Sequence, residues 1–538
     1  MFALMIEIFE RFDRLAGIDD EPFAARWLDR IAFVFVFLMV GTAPHSIAAS
    51  QSAWILGMLF TVARLTLKPR VNFRFRPLHF ALIAIFLWAV ISSLFSFEPA
   101  VSLDKLRGVS LLLVFFLVYL NIRRLGAAYF LAFVLIFSCM INVAVVIGQR
   151  FAGRGVEVYN VAPDGPLGRL QITDNTTLLT ADGKKLNTPD ELIAAVEQNG
   201  HVKLSIYQNE FYLQREITRD DLAPGASANE RLGIGGWSRS YNWRAQGFFG
   251  HFTTYAEALQ LIASLLFGLI VAALVKGRYS DAPQSRALRY VTATPFLMVL
   301  LGAILIALLL TVTRASQFAF MVSAFTIILL SRSRKLLIAA GIIAIPVVLG
   351  GLFFLQETRN VGFIDTSDNS TTYRLTMWRD GLRLSTASAH NFVFGLGMDS
   401  IKKHWQEWGM YQGGMLPMGH FHSTPIQLLA ERGLPALLIW LVVLALYGLT
   451  LLRGINIARH NGRWSFGVLL GCLGALVGFF VSGMVHYNLG DGEIAMIFYL
   501  LMGLGAKTAT LVTADAVSGT AVENRVDFQM AALYSDRT

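Results

Sequence analysis

The stretch PFLMVLLGAILIALLLTVTRASQFAFMVSAFTIILLSRSRK, residues 295–335, decides the fold class. It holds most of two apolar runs, 291–312 and 315–331, each near the ~20 residues that carry a helix across a hydrocarbon core about 30 Å thick. Thr313-Arg314 joins them with almost no loop, and the second run stops at Arg332, Arg334 and Lys335. Apolar runs of this length ending in clustered arginine and lysine read as membrane helices leading into a cytoplasmic loop.

The same pattern repeats outward in both directions. Further spans are expected at 28–44, 47–67, 78–96, 108–121, 127–148, 252–275, 336–355, 434–452, 465–486 and 493–511, giving about twelve. The whole chain is 55% hydrophobic and only 15% charged, against roughly 25% charged in a soluble domain. The net charge of +9 sits in short loops: Lys68, Arg70, Arg74 and Arg76; Arg123 and Arg124; Lys276, Arg278, Arg286 and Arg289; Arg332, Arg334 and Lys335; Arg453, Arg459 and Arg463. With twelve spans and a cytoplasmic N-terminus all five loops share one side, so the charge is a topology signal and not a nucleic-acid surface. Cys139 and Cys472 lie inside apolar runs, which argues against a disulfide framework or a thiolate metal site. No cleavable signal peptide is read in the first residues. The organisation expected is an all-α polytopic inner-membrane protein: a cytoplasmic lead-in (1–27), five spans (28–148), an external segment (149–251), four spans (252–355), a large external loop (356–433), three spans (434–511) and a cytoplasmic tail (512–538).

Within the first external segment, about 165–222 reads as a small α+β module. Ala181-Asp182-Gly183-Lys184 is a turn signal, and Thr188-Pro189-Asp190-Glu191 reads as a capping box with proline at the first helical position. Asn199-Gly200 ends that helix, and 201–207 with 211–217 alternate as a hairpin around Gln208-Asn209-Glu210. The order resembles the C-terminal half of a PDZ domain, without a clear carboxylate-binding loop. It reads either as a structural lid or as a module that docks a periplasmic protein partner.

The external ends of the spans carry the polar residues that could do chemistry. Arg314 sits in a helix hairpin, where charge is costly unless used or paired. Arg374 opens an amphipathic helix in which Leu375, Trp378 and Leu382 share a face. Arg244, before Gly247, Gly250 and His251, stands ahead of the sixth span as a candidate anion contact, with Glu257 just beyond. His420 and His422 alone make a weak metal half-site, and no further ligand has suitable spacing, so no metal is expected. Arginine forks grip diphosphate oxygens and stay protonated at any working pH. A neutral histidine can take a proton from an attacking hydroxyl, and fixed guanidiniums stabilise a departing diphosphate. The set suits group transfer from a lipid diphosphate without a cofactor.

These pieces, taken in order, resemble the O-antigen ligase and O-antigen polymerase superfamily. The matching residues are Gln149, Arg244-x-x-Gly247 with His251, Thr313-Arg314, Arg374-x-x-x-Trp378, Gly395-Leu-Gly397, and His420-x-His422-Ser-x-x-x-Gln427-Leu-Leu-Ala-Glu431-x-Gly433. The resemblance implies a GT-C-like membrane glycosyltransferase that takes a glycan from undecaprenyl diphosphate at the periplasmic face. Ligases pass it to lipid A–core; polymerases pass it to a second lipid-linked repeat. It further implies inverting, metal-independent transfer, with Arg314 and Arg374 on the donor diphosphate and His422 activating the acceptor hydroxyl. Arg244, His420, His251, Glu257, Trp378 and Gln149 would then line the substrate. Ser423 stands where the pattern usually has Asn, Phe252-Thr253 replaces the usual Pro-Asn after the first histidine, and the inserted module is outside the common pattern.

Two other function classes fit an apolar chain of this kind. A transporter of lipid-linked or anionic substrates would show inverted repeats and charges at mid-membrane; no repeat is evident and the charges lie near one face. An assembly scaffold would use the inserted module for docking.

Overall fold

The computed structural model describes residues 2–18, 21–69, 73–209, 211–241, 243–276, 290–342, 369–414 and 419–517. The chain forms two compact units. One is Met1–Met140, Phe248–Leu309 and Thr313–Thr538; the other is Ile141–Gly247 with Leu310–Val312.

Among the described residues of the chain, seven helices are long and apolar enough to cross a membrane. They are α1 (Pro77–Leu94), α2 (Leu125–Ala152), α3 (Phe252–Lys276), α4 (Arg314–Ser331), α5 (Thr424–Asn461), α6 (Arg463–Gly483) and α7 (Gly492–Val517). Helix Thr294–Leu310 is shorter and apolar. The chain is thus a multi-pass membrane protein. Helices Phe23–Thr42 and Ile47–Thr66 lie where the first two spans were expected. The expected span 108–121 is broken into Leu106–Val109, a 3₁₀ turn at Ser110–Leu112, and Leu113–Asn121. Most of the expected span 336–355 falls outside the described residues, as do Arg278, Arg286, Arg289, residues 356–368 of the large loop and the tail beyond Val517.

The first unit is organised around α3, α4 and α6, which pack on one another. Small residues let the backbones meet, as membrane interfaces favour. A methyl group on Gly268 of α3 would lie 2.3 Å from the Gly471 nitrogen, and one on Gly471 would lie 2.6 Å from the Leu265 backbone. Gln260 of α3 donates to Ser323 of α4 (3.2 Å), and Ser323 donates to the Gly474 carbonyl of α6 (2.7 Å). Gln260 and Ser323 each sit about two turns into their helices, so α3 and α4 start at the same end of the bundle and α6 finishes there. Thr424 at the start of α5 donates to His486 O just past α6, and Phe479 of α6 stacks on Phe498 near the start of α7. Residues 251, 314, 422, 486 and 491 therefore belong to one end.

The opposite end holds basic loops. Arg459 donates to the last carbonyls of α4, Leu330 (2.8 Å) and Ser331 (3.3 Å). Tyr119 meets Thr510 there (3.1 Å), and Arg64 and Arg123 are paired with Asp29 and Glu21.

Helix α5 is not continuous. Gly433 takes φ 75°, ψ 176°, and Pro435 follows. Proline has no N–H for the Glu431 carbonyl four residues earlier, and the break at Gly433 strands its neighbours. The Gly395-Leu396-Gly397 turn supplies the missing donors: Leu396 N to Ala430 O (2.8 Å) and Gly397 N to Glu431 O (2.9 Å), while Trp88 of α1 caps Arg432 O (2.8 Å). A Cβ on Gly433 would fall 1.9 Å from Val393 O, and one on Gly395 would fall 2.3 Å from the Glu431 carbonyl carbon.

In the second unit, β1 (Val156–Val161), β2 (Thr176–Ala181), β3 (Lys184–Lys185), β4 (His201–Gln208), β5 (Phe211–Thr218) and β6 (Ile234–Arg239) form an antiparallel sheet of order β5-β4-β2-β1-β6, with β3 on β2. Helix Pro189–Asn199 covers it, burying Leu192, Ile193 and Val196 against Val158, Leu178, Val202 and Leu204. The hairpin falls where the alternation put it, and Asn209 takes φ 51° in its turn. The capping differs from expectation: the Thr188 side chain makes no cap bond, and Glu191 Oε2 instead accepts from Asn187 N (2.7 Å). The sheet also runs past 165–222 at both ends, because β1 and β6, first and last in the chain, pair with each other (Val156 beside Arg239).

The break in α5 makes two glycines intolerant of any side chain. Gly433→Ala and Gly395→Ala should each lower the thermal midpoint of the detergent-solubilised protein by many degrees, at a cost of roughly 3 kcal/mol or more. Gly448→Ala on the same helix, whose Cβ would be 3.5 Å from the nearest atom, should leave it within about a degree. Equal melting of all three would contradict the packing described.

Candidate functional site

The sequence His420-Phe421-His422-Ser423 enters α5 through Thr424-Pro425, and proline near the first helical position needs no amide donor. Its centre is Phe421, fully buried and held at both backbone atoms. Trp378 Nε1 donates to Phe421 O (3.0 Å), and Phe421 N donates to Gln427 Oε1 (2.8 Å). Thr424 N and Oγ1 both donate to the His486 carbonyl, at 3.0 and 3.1 Å. With Phe421 pinned, the two flanking histidines cannot splay apart: their ring centroids are 4.1 Å apart, and His422 N donates to His420 Nδ1 (3.1 Å). His422 takes φ 49°, a left-handed conformation a non-glycine residue adopts only when its surroundings enforce it.

A cavity of about 580 Å³ opens beside this loop. His420 and His251 line it, as do Thr254 and Glu257 from the first turns of α3 and His486, Tyr487 and Asp491 from the α6–α7 connection. His486 Nδ1 lies 3.3 Å from Glu257 Oε1, and Glu257 is only 3% exposed. Thr254 donates to Asp491 Oδ2. On another wall Tyr487 donates to Glu431 Oε2 (3.4 Å) and accepts from Arg432 (3.3 Å), while Glu431 Oε1 accepts from Asp399 N (3.1 Å). Lys105 and Lys402 close that side on Asp399, at 2.6 and 3.1 Å.

The electrostatics favour neutral imidazoles. Burial first, then the charges of His486, Lys402 and His251, push His420 down to about 4. Burial, then His420, His486, Arg374 and His251, push His422 down to about 3. Arg374 is thus near enough for its charge to act on His422. Burial and the adjacent Glu493 hold the Asp491 carboxyl well above the usual carboxylate range.

Of the residues singled out from sequence, His251, His420 and Glu257 line the cavity, His422 and Arg374 adjoin it, and Trp378 holds the loop between the histidines. Arg314 is the half-buried first residue of α4, at the same end of the bundle. Gln149 and Arg244 belong to the other unit. There Arg244 donates to the carbonyls of Thr311 and Val312 (both 2.8 Å), the residues that lead the chain toward Arg314. Sequence reading missed His486, Asp491 and Arg432. His486 and Asp491 sit in a short connection and Arg432 inside the α5 break, positions with no motif of their own; the polar run His486-Tyr-Asn between two apolar spans is the one signal that could have found them. Among the described residues no group of three or more His, Cys, Asp or Glu is placed to hold a metal ion.

Comparison with known proteins adds one finding. Residues 296–441 match the O-antigen ligase family model, a segment that contains Arg314, Arg374, both histidines of the loop and the broken start of α5. No curated protein matches the sequence significantly. The chain therefore carries a segment similar to O-antigen ligases, and that segment supplies Arg374, the two loop histidines and the broken start of α5 to this site.

Proposed function

We propose that the protein transfers a glycan from undecaprenyl diphosphate to an acceptor hydroxyl, that of lipid A–core, at the periplasmic face of the inner membrane. The observation that carries this reading is the histidine-walled cavity with Arg374 beside it, to which the O-antigen ligase-like segment contributes His420, Asp399 and Glu431, at the end away from the basic loops. The positive-inside rule assigns those loops to the cytoplasm, and so assigns the cavity to the periplasm.

In this reading Arg314 and Arg374 hold the donor diphosphate, and His422 accepts the proton of the acceptor hydroxyl. The acceptor oxygen attacks the anomeric carbon from the face opposite the diphosphate, the C–O bond to the diphosphate breaks, and configuration inverts. The guanidiniums stabilise the charge that develops on the leaving group without reorganising. Glu257 keeps His486 oriented at the cavity wall, and no metal takes part. The neutral state of His422 suits a base, and bound diphosphate would raise its basicity by offsetting the neighbouring cations. The inserted sheet module serves as a PDZ-like dock for a periplasmic partner, outside the chemistry.

Arg314→Ala, Arg374→Ala and His422→Ala should each cut transfer about a hundredfold or more while the protein folds normally. The assay is transfer in detergent from a defined undecaprenyl-diphosphate glycan, offered lipid A–core and a second lipid-linked repeat in parallel. Full activity in all three variants sinks the assignment, and product on the repeat alone makes the protein a polymerase.

Because His422 sits near 3 in the free protein, it stays unprotonated across the working range. The kcat/KM for donor should therefore be flat on the acid side from pH 8 to 5. A base at the ordinary histidine value would instead lose about tenfold per unit below pH 6.5, and such a limb, absent in His422→Ala, would refute the electrostatic argument.

Replacing 156–239 by a short glycine linker, which the pairing of β1 with β6 permits, should leave in vitro transfer within about twofold. A collapse of activity with normal melting would make the module part of the reaction machinery.

A further inference from the structure

At the opposite end of the same helices, a second cavity of about 230 Å³ lies between α1, the segment Leu113–Asn121, α5 and α7. Arg76 at the start of α1 and Arg453 of α5 line it, with His79, Tyr119, Leu446 and Leu449 among the other walls. Beside it the Lys507 ammonium lies 4.9 Å from the centre of the Tyr119 ring. Among the described residues no Asp or Glu lines the cavity.

That absence is unusual for this end of the molecule. Arg30 is held by Asp13, Arg64 and Arg123 by Asp29 and Glu21, and Arg459 by helix-terminal carbonyls. Arg76, Arg453 and Lys507 have no such partner: among the described residues none of their side chains makes an ion pair or a hydrogen bond to a carbonyl. Three like charges around one concavity repel each other, and an anion in it would relieve all three.

Position selects the anion. Thr510, another lining residue, lies eighteen positions beyond Gly492 along α7, about 27 Å by helical rise, which matches the hydrocarbon thickness. The cavity is thus at headgroup depth on the side of the basic loops. It also opens onto lipid-facing apolar surface: Phe80 and Leu87 of α1 and Val442 and Leu449 of α5 are all exposed. A soluble phosphate would use the cations alone, whereas a phospholipid would use both the cations and this seam for its acyl chains.

We propose that this cavity is a binding site for the phosphate of an anionic phospholipid, with Arg76, Arg453 and Lys507 as its cationic contacts. Basic pockets between membrane helices on the cytoplasmic side recognise anionic headgroups in this way. The site is independent of the glycan-transfer reading and stands or falls separately from it.

The test is native mass spectrometry of the delipidated full-length protein titrated with phosphatidylglycerol, phosphatidylethanolamine and inorganic phosphate. Phosphatidylglycerol should bind at least tenfold more tightly than phosphatidylethanolamine. The triple variant Arg76→Gln, Arg453→Gln, Lys507→Met should weaken the first lipid adduct roughly a hundredfold, at about fivefold for each of three cations near a membrane surface. Arg453→Gln alone, at an exposed residue, supplies the reading if the triple variant fails to fold. Arg334→Gln with Lys335→Gln removes charge elsewhere on the same side and should leave the adduct unchanged. Equal loss in that control would reduce the effect to general surface charge, equal binding of both lipids would overturn the site, and saturation by inorganic phosphate alone would make it a site for a soluble anion.

Discussion

The break in α5, where Gly433 leaves the helix and Pro435 brings no amide, is the constraint on which the site rests. Within a bilayer an unpaired carbonyl has no water to turn to, so every group freed by a helix break must find a donor in the protein. Here the freed carbonyls of Ala430, Glu431 and Arg432 are met by Leu396, Gly397 and Trp88. Satisfying them fixes the Gly395–Gly397 turn against α5. The turn delivers Asp399 to the Glu431 carboxylate, and Glu431 in turn holds Tyr487 at the cavity wall. The break at Gly433 and Pro435 thus sets the relative position of three segments far apart in sequence.

A second constraint is electrostatic. The cavity gathers histidines and cations from several elements, and burial penalises charge on His420 and His422 before any neighbour is counted. The result is a pair of neutral bases held close together, while Asp491 keeps its proton for the converse reason. Such a place is poised for an incoming anion, whose charge would reverse the terms now acting on the imidazoles.

The helical spans and the basic loops were legible because length, apolarity and clustered arginine are properties of short contiguous stretches. So was the hairpin of the inserted module, whose alternation survives in 201–208 and 211–218. What escaped was non-local. The strands at 156–161 and 234–239 fell outside the expected module because they pair with each other about eighty residues apart. The indole of Trp378 donates to the Phe421 carbonyl, a contact that spacing along the chain does not show. His486 carries no motif, and its place beside Glu257 comes only from the packing of α3 on α6. The broken span near 108–121 kept its apolar composition but lost regular helix at a 3₁₀ turn that composition does not reveal.

The contact of α3 with α6 through Gly268 and Gly471 has a mechanical meaning. Machines that carry cargo by alternating access rock one bundle against another, which requires a seam that can slide or part. Backbones in direct contact, stitched to a third helix by Gln260 and Ser323, form a joint with no slack. Such a core would resist the rocking that translocation demands, and it is better suited to keeping reacting groups still than to passing a substrate through.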